Sequence, residues 1–153
     1  MPYDLVIQNG TIATASDVFQ ADIGIRDGVI VQIGRDLGEA VETIDATGRY
    51  VLPGGIDSHV HIAQPSGEGI VMADDFESGT RSALFGGNTT ILPFCLQEKG
   101  RPLREALKAY HALADGNCYT DVSFHLIVSD PSDAVLGQEL PALVEDGYTS
   151  FKV

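Results

Sequence analysis

The sequence predicts an α/β protein in which a small all-β region precedes a series of βα units. Before residue 53, short runs of alternating apolar and polar residues are separated by Asn-Gly and Asp-Gly pairs, which favour tight hairpins. After that point, β-branched apolar runs alternate with segments of helical periodicity. The triplet Pro53-Gly54-Gly55 separates the two patterns. We therefore expect a first region of residues 1–52 and a second region of residues 53–153.

The first region is predicted to be a β-meander that forms part of a small β-sandwich. Its expected strands are residues 3–8, 11–14, 21–26, 29–34, 41–45 and 49–52. Asn9-Gly10 is expected to end the first strand and to form a hairpin with the second, and Asp27-Gly28 is expected to form another hairpin. Because none of these segments has helical periodicity, packing of sheets is the natural prediction.

The second region alternates strands and helices. The expected strands are residues 56–62, 89–95, 122–128 and 148–153, and the expected helices are residues 76–85, 103–114 and 134–145. Asp74 and Asp75 are suited to cap the first helix, and Pro141 is expected to divide the third into two pieces. Repeated βα units imply a parallel sheet, either open or closed into a barrel. A parallel barrel needs eight units and roughly 250 residues. The sequence therefore predicts either a small open sheet or a piece of a larger protein.

Composition excludes several classes of partner. The chain has 9 basic and 22 acidic residues, a net charge of −13, which argues against binding to nucleic acid or to an anionic membrane. No apolar run approaches the roughly 18 residues that a membrane span requires, and no signal peptide is recognisable. The two cysteines, Cys95 and Cys118, fit reduced thiols in a cytosol. We therefore expect a cytoplasmic protein.

The strongest chemical motif is Asp57-Ser58-His59-Val60-His61. Residues two apart on a strand share a face, so His59 and His61 are expected to project side by side with Asp57 one pleat below. Neutral imidazoles are common zinc ligands, and an aspartate can orient such an imidazole. The alternative is a solvated strand face that carries two histidines. The neighbouring glycines and the apolar residues Ile56, Val60 and Ile62 favour close packing around this strand.

The second candidate is Lys152 in the last predicted strand. Ser150 and Lys152 share one face of this strand, and Phe151 and Val153 share the other. If helices cover the apolar face, Lys152 points into the sheet or barrel, where a lone ammonium group is costly. It must then be paired, neutralised or chemically modified, unless it is simply a solvated lysine near a chain end.

Three further residues have weaker claims to a role. His125 can lie in the same interior as His59, although a hydrogen-bonded core histidine is the more common case. His111 is expected on the surface of a helix. Cys95, at a strand end, can line a pocket, although a buried, inert thiol is the more common case.

Five segments together resemble one protein family. Residues 51–61, with the PGGIDSHVH stretch, are similar to the first barrel strand of the amidohydrolase superfamily. Four others narrow the resemblance to the dihydropyrimidinase and hydantoinase family of cyclic amidases: residues 73–80, 86–90, 124–127 and 149–153. The resemblance runs from residue 4 to the last residue.

The resemblance implies a metal-dependent hydrolase with a TIM-like (β/α)8 barrel and a β-sandwich built from both chain ends. It implies that His59 and His61 bind one of two divalent ions, usually zinc, and that Lys152 carries a carbamate derived from carbon dioxide that bridges both. A metal-activated hydroxide would open the ring amide of a dihydropyrimidine or hydantoin to an N-carbamoyl amino acid. A homotetramer is the implied assembly.

The resemblance also implies what surrounds these residues. The loop of residues 63–72 is expected to border the substrate pocket, with Gln64, Ser66 and Gly67 among its lining residues. This loop differs from the usual hydantoinase loop in having smaller residues after the proline. The remaining metal ligands are expected beyond Val153, so we expect this chain to be the opening third of a longer enzyme.

Two other readings compete with the cyclic amidase. One is another amidohydrolase, of the allantoinase or dihydroorotase type. The other is a non-catalytic scaffold protein of the same fold, and the presence of His59, His61 and Lys152 disfavours it.

Overall fold

The structure, a computed structural model, describes residues 2–153. It divides between Pro53 and Gly54 into two compact units. Within the described residues, no helix is both long and apolar enough to cross a membrane.

The first unit is a five-stranded sheet. Its strands are β1 (Tyr3–Ala13), β2 (Val18–Arg26), β3 (Val29–Gly34), β4 (Ala40–Asp45) and β5 (Tyr50–Val51). The strand order is β3-β2-β1-β4, and β5 also pairs with β1. Strands β1 to β3 form the predicted antiparallel meander, but β4 and β5 run parallel to β1. The meander prediction is therefore right for the first three strands and wrong for the last two.

The predicted hairpin at Asn9-Gly10 is wrong, because β1 continues through both residues. Asn9 takes a left-handed φ of 61° and forms a bulge, so the register with β2 shifts between Ile7 and Gly10. The Asn9 backbone N–H donates to the Asp22 carboxylate at 2.8 Å, and its side-chain amide donates to Asp45 at 3.1 Å. These bonds satisfy the residue within the sheet, so the positive φ produces a bulge here instead of a chain reversal. The Asp27-Gly28 hairpin is confirmed, with φ values of 51° and 73°.

The second unit has the predicted order of strands and helices. Its elements are β6 (Gly55–Val60), α1 (Phe76–Phe85), β7 (Asn88–Leu96), α2 (Leu103–Ala114), β8 (Asp121–Val122), β9 (His125–Ile127), a π-helical turn (Val135–Glu139), α3 (Leu140–Glu145) and β10 (Phe151–Lys152). All strand pairs are parallel, in the order β10-β9-β7-β6, with β8 also on β7. The third predicted strand is thus two short segments.

The third helix divides as predicted, just before Pro141. The Leu140 N–H donates to the Val135 carbonyl, a π-helical bond that spans five residues. Pro141 has no N–H to donate, so it interrupts the regular α-helical hydrogen bonds at this point. The α-helix α3 accordingly has its proline in the first turn.

The residues of the DDFESGT stretch shape the start of α1. Asp75 and Ser78 form a reciprocal capping box. An added Cβ at Gly79 would lie 2.9 Å from the Ile62 side chain, so glycine lets α1 approach the end of β6. Thr80 is fully buried, and its hydroxyl oxygen accepts from the Tyr119 N–H at 3.0 Å. The stretch therefore supports the chain directly after His61.

The start of β6 also depends on glycine. A Cβ at Gly54 would lie 2.0 Å from the Thr89 hydroxyl, and one at Gly55 would lie 2.3 Å from the Asn88 side-chain oxygen. The expected close packing of this strand is confirmed on the side that faces β7. Ile56, however, is 66% exposed, so the expectation that it packs in a covered face is wrong within this chain.

Gln97 is a buried polar residue that holds two loops at the ends of the strands. It is 2% exposed, and its oxygen accepts from the backbone N–H groups of Ser129 and Asp130, both at 3.1 Å. Its amide nitrogen donates to the Arg101 carbonyl at 2.9 Å. Each hydrogen bond that the structure describes for this side chain is thus made with a backbone group.

We expect Gln97→Leu to lower stability by about 2–4 kcal/mol, because it removes three hydrogen bonds that each contribute about 0.5–1.5 kcal/mol. Thermal unfolding of the intact gene product measures this effect. Glu98→Gln is the matched control, since Glu98 is exposed and adjacent. Equal melting temperatures for Gln97→Leu and the control would contradict the role given to Gln97.

Candidate metal centre

Two histidines lie side by side at the end of β6. The ring centroids of His59 and His61 are 5.4 Å apart, with their planes tilted by 56°. Strand β6 ends at Val60, and its register with β7 shifts between Asp57 and Val60, so His59 lies in a bulge. The sequence predicts this adjacency from simple strand alternation, whereas the structure achieves it with an irregular strand end.

Asp57 is placed differently from the prediction. Its carboxylate accepts a hydrogen bond from the His59 backbone N–H at 3.1 Å. The aspartate therefore fixes the backbone of the bulge that carries His59, and the bond that the structure gives it is not to an imidazole ring. The bond shapes the chain, and the role of Asp57 in orienting an imidazole ring stays a prediction.

Phe94 forms the floor beneath the two histidines. This residue on β7 is 6% exposed, and its ring centroid lies 4.6 Å from that of His59, edge to face, and 5.0 Å from that of His61, stacked. The sequence does not predict this position, because an aromatic residue in an apolar strand is typical of an ordinary core. Its two contacts hold both imidazoles in fixed orientations.

Lys152 reaches the same floor from another strand. Its ammonium nitrogen lies 4.7 Å from the Phe94 ring centroid, within the range of a cation–π contact. The lysine is on β10, two strands away from β7 in the sheet. The structure therefore brings Lys152 to the pair His59 and His61, from which it is separated by about ninety residues in the sequence.

His125 braces the strands around this floor. One ring nitrogen, Nε2, lies 2.8 Å from the Ser58 carbonyl oxygen, and the other, Nδ1, is bonded to the Ser150 hydroxyl. A carbonyl can only accept, so Nε2 carries the proton and Nδ1 accepts from the serine. The expectation of a hydrogen-bonded histidine is confirmed. Because Ser58 precedes His59, this brace also supports the bulge.

The predicted pocket loop contributes one side chain to the histidine pair. The Gln64 side-chain oxygen lies 2.7 Å from Nδ1 of His61. Ser66 instead donates to the Gln64 carbonyl at 3.2 Å, and the Gly67 carbonyl accepts from the Ile70 N–H at 2.9 Å. Ser66 and Gly67 thus shape the loop, whereas Gln64 contacts a candidate ligand.

The remaining candidates lie outside this centre. His111 is half-buried, against the expectation of a surface position, because its Nε2 bonds the Tyr148 hydroxyl and its ring packs edge-on against Phe124. Cys95 is 1% exposed, and burial raises the pKa of its thiol to about 12. The expectation of an inert thiol is therefore confirmed, since so high a pKa leaves it protonated.

A cavity of about 330 Å³ lies beside the centre but is not part of it. Its walls include Pro65, Cys95, Arg101, Glu105 and Tyr110, and none of the three convergent residues lines it. The histidines and Lys152 lie instead on an open wall formed by the strands of the second unit.

The donor set fits part of a metal site. Nδ1 of His61 is occupied by Gln64, which leaves Nε2 as its free nitrogen for an ion. Two imidazoles supply half of the four ligands that zinc usually takes. Across residues 2–153, no group of three or more histidine, cysteine or acidic residues is arranged to hold a metal. The complete ligand set would therefore need Lys152 in a changed chemical form or groups outside this chain.

The fold places the chain in a broad class of proteins. It superposes on a D-hydantoinase crystal structure at 51% identity with a TM-score of 0.91, over 97% of this chain and 32% of that chain. A second D-hydantoinase structure gives 49% identity and a TM-score of 0.93, over 98% and 32%. An N-acyl-D-glutamate deacylase from Bordetella bronchiseptica, at 20% identity and a TM-score of 0.68, covers 99% of this chain and 38% of that one, and shares the fold alone. The class is therefore α/β, with the amidohydrolase fold.

Sequence comparison names the family within that class. The D-hydantoinase of Geobacillus stearothermophilus is 54% identical over 97% of this chain and 31% of its own length. The dihydropyrimidinase of Rattus norvegicus is 38% identical over 97% and 30%. A family model described as the urease alpha-subunit N-terminal domain matches residues 1–48. The chain is related along nearly its whole length to the D-hydantoinase and dihydropyrimidinase family, as predicted, and spans about a third of the length of these relatives.

Proposed function

We propose that the intact gene product is a cyclic amidase that hydrolyses the ring amide of 5,6-dihydropyrimidines or hydantoins to N-carbamoyl amino acids. The observation that carries this proposal is the convergence of His59, His61 and Lys152 around Phe94. The names of the relatives, D-hydantoinase and dihydropyrimidinase, supply the substrate class.

In this proposal His59 and His61 hold one divalent ion, for which zinc is best suited, since neutral imidazole nitrogens are among its usual ligands. Two divalent ions would supply an activated water molecule near neutral pH and would polarise the substrate carbonyl. The stacked and edge-on contacts with Phe94 keep the two rings in place before an ion binds. The protein therefore orders the two imidazole ligands before the ion binds.

Lys152 has to change its charge to serve the same centre. As an ammonium group it is a cation and cannot ligate a metal ion. We propose that its neutral amine attacks carbon dioxide: an N–C bond forms, a proton leaves to solvent, and the product is the anionic carbamate N6-carboxylysine. The carbamate has two oxygens, enough to bridge two ions. Asp57 acts through the backbone of His59 and is a positioning residue, not a catalytic residue.

The finer architecture is also part of the proposal. The second unit supplies the first four strands of a TIM-like (β/α)8 barrel, with residues 53–153 as its opening part. Residues 1–52 form part of a small β-sandwich. The resemblance supports a homotetramer. The net charge of −13 supports a protein that binds neither nucleic acid nor anionic membranes. The two cysteines, which fit reduced thiols, support a cytoplasmic location.

The intact gene product is expected to contain two divalent ions per chain and to open dihydrouracil or hydantoin rings. Metal analysis and a hydrolysis assay should be run on the same preparation, with allantoin and dihydroorotate as competing substrates. Preferred turnover of either competitor would favour the other amidohydrolase types. A well-folded protein with neither metal nor turnover would overturn the proposal in favour of the scaffold reading.

A further inference from the structure

Gln64 reaches His61 because the chain turns sharply between them. Ala63 has a left-handed φ of 46°, a conformation that alanine adopts only at a cost. Two bonds hold this turn: the Ala63 N–H donates to the Asp74 carbonyl at 2.9 Å, and the Tyr110 hydroxyl donates to the Ile62 carbonyl at 2.5 Å. The turn is therefore fixed by α2 and by the segment before α1. Its consequence is that the Gln64 amide lies against the His61 ring.

We propose that Gln64 is a positioning residue for His61, whose side-chain oxygen accepts the Nδ1 proton and so keeps the Nε2 lone pair free for a metal ion. The inference rests on the proposed function, because it gives His61 the role of a ligand. The contact distance of 2.7 Å is that of a well-formed hydrogen bond. A neutral imidazole has one proton, so fixing it on Nδ1 determines which nitrogen is free.

The chemistry of glutamine makes the direction of this bond testable. Its amide has both an oxygen that accepts and an NH2 group that donates. If the NH2 group faced Nδ1, the ring proton would move to Nε2 and the ring would present no lone pair to an ion. Glutamate can only accept, whereas methionine, which is of similar length, cannot donate and has only a weakly accepting sulfur. These two replacements therefore separate acceptance by the side chain from simple filling of space.

The bond also connects the pocket loop with the metal centre. Gln64 is half-buried, and its backbone carbonyl accepts from the Ser66 hydroxyl within the same loop. The side chain of Gln64 thus connects the loop that is expected to border the substrate with one proposed ligand. Loss of that side chain should weaken metal binding even when no substrate is present.

The test is the zinc affinity of the intact gene product, measured by chelator competition for the parent protein and for Gln64→Met and Gln64→Glu. We expect Gln64→Met to lose about 10- to 100-fold in zinc affinity, the usual cost of removing a partner of a ligating histidine. Gln64→Glu should stay within a few-fold of the parent. The cobalt-substituted proteins should follow the same order, with an altered absorption spectrum for Gln64→Met alone.

Ser66→Asp is the matched control for charge. It adds a carboxylate to the same loop, on a side chain that bonds the Gln64 backbone and not the His61 ring. If Ser66→Asp tightens zinc binding as much as Gln64→Glu does relative to Gln64→Met, charge explains the result and the inference fails.

The remaining outcomes are also decisive. Unchanged affinity in Gln64→Met, or an equal loss in Gln64→Glu, would overturn the role of Gln64 while leaving the proposed function intact. A folded parent protein that binds no divalent metal would instead overturn the proposed function, and this inference with it.

Discussion

Replacing Lys152 by alanine is expected to abolish hydrolysis and to reduce the metal content of the intact gene product from two ions per chain to at most one. Among residues 2–153, the proposed carbamate on Lys152 is the group that would bridge the two ions, and alanine cannot form it. We expect the rate to fall by more than about 10³-fold, beyond the effect of losing one hydrogen-bond donor to a developing charge. The loss of metal and the loss of rate should occur together.

Rescue by small acids makes this prediction specific to the carbamate. Formate, acetate or propionate offers two carboxylate oxygens that could take the place of the missing carbamate. Added to Lys152→Ala in the presence of zinc, such an acid should restore part of the metal content and part of the rate. Lys99→Ala, which removes an exposed lysine elsewhere in the second unit, should match the parent with or without the acid.

The outcome that would contradict the bridging role is equally clear. If Lys152→Ala keeps two ions and a near-normal rate, Lys152 is a solvated lysine whose contact with Phe94 has no chemical consequence. If it loses activity but keeps both ions, its role is in binding the substrate and not in joining the metals.

The elements of this fold could be predicted where local signals suffice. Helix α1 agrees with its prediction at both ends, because Asp75 caps its start and the Gly86-Gly87 pair follows its end. Helix α2 agrees as well, since its apolar residues recur at helical spacing. The Asn9-Gly10 pair shows the limit of such signals. The same dipeptide that favours a hairpin forms a bulge when Asp22 and Asp45 satisfy its polar groups from neighbouring segments.

The candidate metal centre could likewise be predicted only in part from the sequence. Strand alternation predicts that His59 and His61 are neighbours. It also predicts that Lys152 lies on the same face of its strand as Ser150 and on the opposite face from Phe151. The position of Phe94 beneath the two histidines could not be predicted, because nothing in the local sequence distinguishes it from the other apolar residues of β7. Gln64 was assigned to the pocket loop, but its bond to His61 depends on the left-handed turn at Ala63, and alanine gives no signal for that conformation.

The DDFESGT stretch supports the family resemblance, but its contacts are structural. It helped to narrow the family, yet its residues cap α1, pack against Ile62 and bond Tyr119. The stretch therefore supports the chain directly after His61, and the substrate class rests on the names of the relatives.

Single replacements of the two histidines are expected to be as damaging as their combination. We expect His59→Asn and His61→Asn each to lower the rate by more than about 10³-fold and to lower zinc content, and the double variant to be no worse than either, because residues that act as one unit are not additive. Metal analysis and turnover of the three variants test this. His111→Asn is the control, since it removes a half-buried histidine bonded to Tyr148, away from Phe94.

If the losses in the two single variants add up in the double variant, the two rings act independently and do not share one ion. The geometry argues for the shared ion. Both rings rest on one buried phenylalanine, with centroids 5.4 Å apart, and both are attached to backbone that Asp57, Tyr110 and His125 hold by hydrogen bonds. So much support for two exposed side chains is unnecessary for a solvated strand face, but it serves a centre whose ligands must be in place before the ion arrives.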